Sequence, residues 1–307
     1  MRPRVVMVTW LVAALGLAVL AVPGTRAALS SLGGRTRAIA AGQDPSPAAG
    51  VIRVAAQAPP PPPTLRAPDV PASIKGPANA RFFSWAFLNR KTSAVTGSAN
   101  SATGTNSTES MVKAWITGDY LRRQAEAGRT PGDDVLGELT LMIIDSNDNM
   151  AQKYYEIGGS NTLMQRMISM CGLTHTKIYP YWWSKTQMSP QDAVKYGLCV
   201  ASGTAAGAKW TPWLLETMKH VRGGVNDQIS VTRQGGRWGI IDALPPEVAA
   251  TVSIKNGWTA YPDGWHVNCL AIHQDWVLSV MVRIGGLQPA ANTCKSVAQQ
   301  LIYHPDL

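Results

Sequence analysis

The pattern of hydrophobic and polar positions divides the chain into regions with different periodicities. Residues 81–89, RFFSWAFLN, are rich in aromatic side chains and predict a β-strand, followed after a turn by a short strand at 94–98. From residue 110 onward apolar residues recur at helical spacing. The predicted helices span residues 110–125, 135–145, 150–157, 162–170, 189–202 and 213–221.

Strand-like patterns return near the end of the chain. Residues 250–255, 266–273 and 276–283 predict strands, and residues 292–303 predict a closing helix. Because strands occur at both ends with helices between them, we predict an α+β fold. In it, an antiparallel sheet is built from both chain ends, with an inserted helical subdomain. A cleft between the two parts is the expected place for a functional site.

The first 72 residues have a different composition. Residues 1–27 have a basic start, a long apolar run and small residues after it, which predicts a signal peptide. An uncleaved membrane anchor is the alternative, and we favour cleavage because small residues follow the apolar run so closely. Residues 28–72 are rich in Ala and Pro and predict a disordered linker, either a spacer or a leader without a role. The folded domain is then expected at 73–307.

Charge narrows the classes of partner. The chain has 307 residues and a formal net charge of +9, yet no long Lys/Arg run occurs. Nucleic-acid binding is therefore disfavoured, and a secreted or cell-wall-associated protein near an anionic surface is favoured. A membrane partner is expected only if the leader is uncleaved, and the sequence carries no signal of oligomeric state.

The cysteines fit an exported protein. Cys171, Cys199, Cys269 and Cys294 allow three pairings, of which we favour the short-loop choice, Cys171–Cys199 with Cys269–Cys294. Neither a C-x-x-C nor an H-E-x-x-H motif is present in the sequence, so we expect no metal and no cofactor.

The stretch NSTESMVKAW, residues 106–115, contains the first candidate chemistry. Ser110 and Lys113 have the spacing S-x-x-K, which places both on one face of a helix. A serine hydroxyl becomes a nucleophile when a base takes its proton, and a desolvated lysine can be that base. Two fixed residues alone also occur by chance on a protein surface.

Two further stretches add polar groups at element ends. Residues 145–149, DSNDN, include Ser146 and Asp148 between two predicted helices. Lys255, Asn256, Gly257 and Trp258 follow an apolar run and lie at a predicted strand end. Taken singly, the first is typical of a polar turn and the second of a strand exit.

The order of the three stretches resembles that of the penicillin-recognising serine enzymes, where S-x-x-K, S-D-N and K-T-G follow one another. With SWAFLNRKTSAVTGSAN, TESMVKAW, LMIIDSNDNMAQKYYEIGG and SIKNGW, residues 82–301 look like a secreted, actinobacterial-type serine hydrolase related to class A β-lactamases. The resemblance implies a β-lactamase/transpeptidase-like fold.

The resemblance also implies roles for individual residues. Ser110 would be the acylated nucleophile, Lys113 its base and Ser146 a proton relay. Lys255 would bind a substrate carboxylate and help to lower the pKa of Lys113. The backbone N–H groups of Ser110 and of the strand around Trp258 would form the oxyanion hole.

Three departures from the family pattern change the expected activity. Asp148 replaces an asparagine and should favour the charged form of Lys113. Asn256 and Trp258 replace two threonines, so substrate recognition should differ. Residues 157–191 contain no Asp or Glu, whereas the family has there the glutamate that activates water for deacylation. We therefore expect acylation with poor β-lactam turnover.

Other interpretations remain at this point. The substrate could be a peptidoglycan-like peptide, another acyl compound or a β-lactam. The domain could instead be a catalytically silent wall-binding module whose tryptophans, such as Trp182 and Trp265, stack on glycan or peptide. A Ser-His-Asp hydrolase is disfavoured, since no G-x-S-x-G motif occurs and His266 and His273 lie in predicted strands, where a structural role is expected.

Overall fold

The computed structural model describes residues 61–227 and 233–304. The expected signal peptide, and the expected linker up to residue 60, lie outside the described residues. Within the described residues, no helix is both long enough and apolar enough to span a bilayer.

The described ranges contain ten strands, most of them short. The strands are β1 (Thr64–Leu65), β2 (Phe82–Asn89), β3 (Val95–Gly97), β4 (Asn106–Ser107), β5 (Gln187–Met188), β6 (Ser253–Ile254), β7 (Gly257–Tyr261), β8 (Gly264–Ile272), β9 (Trp276–Ile284) and β10 (Ile302–Tyr303).

Eight α-helices are found in the same ranges. They are α1 (Lys113–Glu126), α2 (Asp133–Ile144), α3 (Asp148–Ile157), α4 (Asn161–Cys171), α5 (Pro190–Ala201), α6 (Gly207–Lys219), α7 (Pro246–Ala249) and α8 (Leu287–Gln300). Short 3₁₀ helices occur at Pro71–Ser73, Glu109–Val112, Trp183–Lys185 and Ile240–Ala243.

The main sheet is antiparallel and joins the two ends of the domain. Its order is β3-β2-β9-β8-β6, and β7 also pairs with β8. β6 and β7 therefore share one edge of β8, separated by Lys255 and Asn256. This arrangement confirms the predicted α+β fold with a helical subdomain inserted between sheet strands.

The sheet lies between two helical layers. Cys269 and Leu270 are neighbours on β8, so their side chains point to opposite faces. Cys269 forms a disulfide with Cys294 of α8, whereas Leu270 faces Gly197 of α5. The second disulfide, Cys171–Cys199, ties α4 to α5. Both predicted pairings are confirmed.

Most predicted elements are present. The helices predicted at 213–221 and 292–303 begin earlier than expected, at Gly207 and Leu287, and two further regions differ. Residues 250–255 contain only the two-residue β6. Gly257–Tyr261, where the hydrophobic pattern indicated no strand although the family resemblance implied one around Trp258, is the strand β7. The glycine and the polar residues weaken the strand pattern in the sequence of this segment. Pairing with β8 supplies its hydrogen bonds. In addition, β1 pairs with β10, so Thr64 and Leu65, inside the expected linker, belong to the folded domain.

The first prediction concerns the contact between α5 and the sheet. A Cβ on Gly197 would lie 2.6 Å from Val277 Cγ1 and 3.2 Å from Leu270 Cδ1. We expect Gly197→Ala to lower the free energy of unfolding by about 1–3 kcal/mol because the helix must move off the sheet.

Gly137→Ala is the matched control. Gly137 is an exposed position inside α2, and a Cβ there would meet no atom within 4 Å, so alanine should raise the unfolding free energy by about 1 kcal/mol. Urea denaturation of both variants measures the two values. Equal effects in both helices would contradict the packing argument.

Candidate active site

Three separate parts of the chain meet at one buried polar cluster. Ser110 lies in the 3₁₀ turn Glu109–Val112 that leads directly into α1, whose first residue is Lys113. Ser146 lies in the connection between α2 and α3, with φ of 55°. Lys255 lies at the break between β6 and β7. The fold thus brings together the three polar stretches identified in the sequence.

The Lys113 amine is fully buried among oxygen acceptors. Its Nζ donates to Asp148 Oδ1 at 2.6 Å, to Ser146 Oγ at 3.3 Å and to the Ser146 carbonyl oxygen. The ring of Trp183 lies over the same amine, 5.3 Å from Nζ to the ring centroid. Three acceptors match the three hydrogens of an ammonium group.

Burial lowers the pKa of Lys113 to about 8, although Asp148 and, to a smaller extent, Glu109 act in the opposite direction. Asp148 therefore favours the charged amine, as its negative charge requires, but desolvation has the larger effect. Lys113 is close to its titration midpoint at neutral to mildly alkaline pH.

Lys255 is the second buried amine of the cluster. Its Nζ donates to Ser146 Oγ at 2.9 Å. Burial, the largest influence, and the nearby charge of Lys113 lower the pKa of Lys255 well below its usual value. Since Lys255 is fully buried and does not line the cavity, it is not positioned to bind a substrate carboxylate directly.

Ser110 lies at the edge of a cavity of about 370 Å³. Only 6% of the residue is exposed, and that surface faces the cavity. Within the described ranges Ser110 Oγ has no hydrogen-bond partner, and Lys113 directs its hydrogens toward Ser146 and Asp148 instead. The serine and the lysine share one site but are not hydrogen-bonded to each other.

Gly257 allows β7 to approach the turn that carries Ser110. A Cβ at this position would lie 2.8 Å from both the Ser110 and the Met111 backbone nitrogens. Glycine is therefore required for this close approach. The next residue, Trp258, lines the cavity together with Ser110.

The remaining predicted binding residues have different positions. Asp148 lines the cavity, and its Oδ2 accepts a hydrogen bond from Gln234. Asn256 is buried, and its amide donates to the carbonyl oxygens of Gly236 and Trp238 at 2.9 and 2.8 Å. These hydrogen bonds support the adjoining loop, and the expected substrate contact of Asn256 stays a prediction.

Aromatic residues from positions 181–183 form part of the cavity wall. Tyr181 and Trp182 are exposed at the rim, while Trp183 is buried with its Nε1 donating to Gln152 Oε1 at 3.1 Å. This is the region, residues 157–191, in which the sequence contains no carboxylate. In place of an acid, an indole ring covers Lys113.

Glu109 is a cavity residue that no sequence motif identified. It precedes Ser110, has φ of 49° and is almost fully buried. Its oxygens accept hydrogen bonds from Thr259 Oγ1 at 2.6 Å and Tyr261 OH at 3.0 Å, both on β7. Burial, the largest influence, raises the pKa of Glu109. The only signal in the sequence was an acidic residue next to a candidate nucleophile. The orientation of the Glu109 side chain depends on its hydrogen bonds to β7.

A hydrogen-bonded chain extends from this region to the surface. Ser107 Oγ is 2.9 Å from His266 Nδ1, and His266 Nε2 is 2.9 Å from Asp263 Oδ1. From the sequence, only a structural role was expected for His266. Ser107 is buried and does not line the cavity, so these three hydrogen-bonded residues are not a second nucleophilic triad.

Comparison with known proteins supports the fold. No protein-family profile and no curated protein sequence matches the chain. Solved structures do match. A β-lactamase from Desulfarculus baarsii DSM 2075 is 13% identical, with a TM-score of 0.54, 73% of this chain covered and 92% of the other.

Two further structures give the same result. PBP-A is 15% identical with a TM-score of 0.55, covering 75% of this chain and 92% of its own. The TLA-3 extended-spectrum β-lactamase is 14% identical with a TM-score of 0.56, covering 73% and 94%. The chain therefore has the fold of class A β-lactamases and PBP-like enzymes.

The second prediction tests the close approach at Gly257. Gly257→Ala should separate β7 from the Ser110 turn, lower the melting temperature and change the fluorescence of Trp258, because the added methyl group meets backbone atoms that cannot rotate away. Thermal unfolding followed by tryptophan emission measures both effects.

Gly285→Ala serves as the control, because Gly285 is exposed and a methyl group there would meet no atom within 4 Å. A Gly257→Ala protein as stable as Gly285→Ala would show that the backbone contact is not a constraint.

Proposed function

We propose that this chain is an exported acyl-transferring serine hydrolase of the β-lactamase and penicillin-binding type. In this proposal Ser110 is the nucleophile, Lys113 its base and Ser146 the proton relay. The natural substrate is an acyl compound, with a peptidoglycan-like peptide as the class that suits a secreted or wall-associated protein. The proposal needs no cofactor.

The observation that carries the proposal is the Lys113–Ser146–Lys255 cluster beneath a cavity lined by Ser110. Two lysine amines meet one serine hydroxyl, at 3.3 and 2.9 Å, although the residues are far apart in sequence. Burying two amines opposes folding unless they are hydrogen-bonded. Such a costly arrangement next to an accessible serine is typical of a functional site.

Acylation in this proposal uses Ser110, Lys113 and Ser146. When Lys113 is neutral it takes the proton of Ser110 Oγ as that oxygen attacks the substrate carbonyl carbon. The tetrahedral intermediate collapses by breaking the bond to the leaving group. The proton passes from Lys113 through Ser146 Oγ to the leaving group, which leaves an ester at Ser110.

Lys255 supports this step by positioning Ser146. Its hydrogen bond to Ser146 holds the hydroxyl between the two amines. Burial lowers the pKa of both amines, to about 8 for Lys113, so Lys113 can lose its proton at mildly alkaline pH and act as the base.

The backbone near Gly257 suits oxyanion stabilisation. β7 lies against the turn that carries Ser110, so the N–H groups of Ser110 and Trp258 can both face the cavity. Two fixed N–H donors stabilise the charge that develops on the carbonyl oxygen.

Hydrolysis of the acyl-enzyme should be slow for β-lactams. Trp183 lies above Lys113 on the wall where a carboxylate would activate water, and an indole ring is not a base. A positioned general base contributes about 10²–10⁴-fold in rate. For substrates that fill the cavity, the acyl-enzyme should therefore form faster than it is hydrolysed and should accumulate.

The third prediction is covalent labelling of one serine. A fluorophosphonate should add one mass increment to the purified protein, and a penicillin should add one slowly and leave slowly, because acylation has a base and deacylation lacks one on the loop side. Intact-protein mass spectrometry over time measures both, and nitrocefin absorbance measures turnover.

Ser110→Ala should remove both adducts, whereas Ser202→Ala, a serine outside the cavity at the end of α5, should label like the parent protein. Rapid nitrocefin turnover would refute slow deacylation. If no probe adds to the parent protein, the catalytically silent binding module is favoured, with exposed Tyr181 and Trp182 as its contact surface.

The fourth prediction concerns pH. The acylation rate should rise with pH and level off above about 8, since Lys113 must be neutral to accept a proton and its pKa is about 8. Asp148→Asn removes a charge that raises this pKa, so the midpoint should shift to lower pH.

Stopped-flow acylation by a neutral ester, measured from pH 5 to 10, gives the midpoint. Glu247→Gln, which neutralises an exposed acid outside the cavity lining, should leave the midpoint unchanged. A midpoint in Asp148→Asn that stays the same or rises would contradict Lys113 as the base.

A further inference from the structure

Glu109 is a cavity carboxyl that the proposed acylation does not use. It immediately precedes Ser110, lines the same cavity and occupies a backbone conformation, φ 49°, that is uncommon for a non-glycine residue. Strained residues persist where the surrounding structure holds them, and they cluster at functional sites. The position of this carboxyl therefore calls for a role.

Hydroxyl groups hold Glu109 in place. Thr259 and Tyr261 each donate to a different carboxyl oxygen, at 2.6 and 3.0 Å. The Ser107 hydroxyl lies close enough to favour the charged form of the same carboxyl. Each carboxylate oxygen can accept two hydrogen bonds, so both retain capacity for a water molecule.

Ser107, two residues before Glu109 in the chain, contacts a histidine that leads to the surface. Its hydroxyl lies 2.9 Å from His266 Nδ1, and His266 Nε2 lies 2.9 Å from Asp263 Oδ1. The Asp263 side chain is 48% exposed, whereas that of His266 is 11% exposed. A neutral His266 with its hydrogen on Nε2 would accept from Ser107 and donate to Asp263.

We propose that Glu109 is the general base for hydrolysis of the Ser110 acyl-enzyme and that Ser107, His266 and Asp263 carry its proton to solvent. This inference rests on the proposed function. It assigns the base for deacylation to a carboxyl held by β7 and not to the loop that carries Trp183.

Protons and bonds balance in this step. Water attacks the acyl carbon while Glu109 removes one of its protons. The tetrahedral intermediate keeps the second proton of the water. As the ester bond to Ser110 Oγ breaks, Lys113, which is neutral after acylation, transfers that proton to the serine oxygen, and the acyl group leaves as a carboxylate. The proton on Glu109 passes to Ser107, the Ser107 hydrogen passes to His266 Nδ1, and the Nε2 hydrogen leaves through Asp263.

Burial and nearby charges act on the pKa of both Glu109 and His266. Lys113 on α1 and Asp148 on α3 act on Glu109 in opposite directions, and burial raises its pKa overall. Burial is also the main reason that the pKa of His266 is lowered. Arg283 on β9 adds to this, while Asp263 opposes it.

Glu109 also explains how the enzyme could combine slow β-lactam turnover with hydrolysis of smaller acyl groups. A base on the β7 side acts only when the acyl group leaves room there for water. Bulky acyl groups would exclude that water and remain attached to Ser110.

The test is a burst experiment on the full chain with p-nitrophenyl acetate. Nitrophenol released in the first turnover reports acylation, and the later steady rate reports deacylation. Glu109→Gln should retain the burst amplitude and lower the steady rate by about 10²-fold or more. The steady rate of the parent protein should increase with pH, and that of Glu109→Gln should not.

Added formate separates chemistry from structure. In Glu109→Ala a small carboxylate can enter the vacated space and accept the water proton, so formate should restore part of the steady rate. A purely structural role for Glu109 would give no such rescue.

The relay has its own variants. Ser107→Ala and His266→Gln should each lower the steady rate and increase its solvent isotope effect, because the proton must then leave directly into water. His273→Gln is the matched control. His273 is also a half-buried histidine near an aspartate, Asp275, but it is not part of the proposed proton relay. It should behave like the parent protein.

The outcomes distinguish the two proposals. A burst that disappears in Ser110→Ala, with a steady rate unchanged in Glu109→Gln, overturns the role of Glu109 and leaves the proposed function intact. No burst with the parent protein overturns both. A burst with a steady rate that depends on Glu109 but equally on His273 overturns the relay.

Discussion

Two lysine amines buried around one serine hydroxyl form the constraint on which the rest of this structure depends. Lys113 and Lys255 both donate to Ser146 Oγ, and only Asp148 supplies a direct counter-charge among the described residues. Buried ammonium groups are costly unless they are paired or lose their protons. The cluster satisfies both conditions, because Asp148 pairs with Lys113 while Lys255 has its pKa lowered well below the usual value. The helical subdomain and the sheet must stay together for this solution to hold.

The cavity above this cluster is lined by two chemically different groups of residues. The Trp183 ring lies over Lys113, with Tyr181 and Trp182 exposed at the rim, and these rings provide no proton acceptor of carboxylate strength. The hydroxyl groups of β7 hold Glu109, and Gly257 brings the strand against the backbone of Ser110. The family pattern that the sequence resembles has an acid in the loop, whereas here the loop at 157–191 has none and an acid precedes Ser110. This difference connects the unusual loop composition with the strained residue before the candidate nucleophile.

Several features could be predicted from local sequence because they rest on local interactions. Ser189 was expected to begin a helix, and its side chain accepts a hydrogen bond from the Asp192 backbone at the start of α5. The disulfides followed from an even cysteine count and short separations, and both form. By contrast, the hydrophobic pattern did not reveal β7, because GWTAY has no clear alternation. Only the family resemblance implied a strand around Trp258, and its strand geometry comes from pairing with β8.

The sequence by itself determined the α+β order of elements and the three polar stretches, since hydrophobic periodicity and motif order are written in neighbouring residues. Only the tertiary structure decided which of those polar groups face the cavity. Asn256 turned inward to support a loop, Lys255 became a buried partner of Ser146, and Glu109 emerged as a cavity acid joined to β7. The reason is that burial and hydrogen-bond partners across distant segments set both the direction of a side chain and its pKa, and neither can be derived from residues adjacent in the chain.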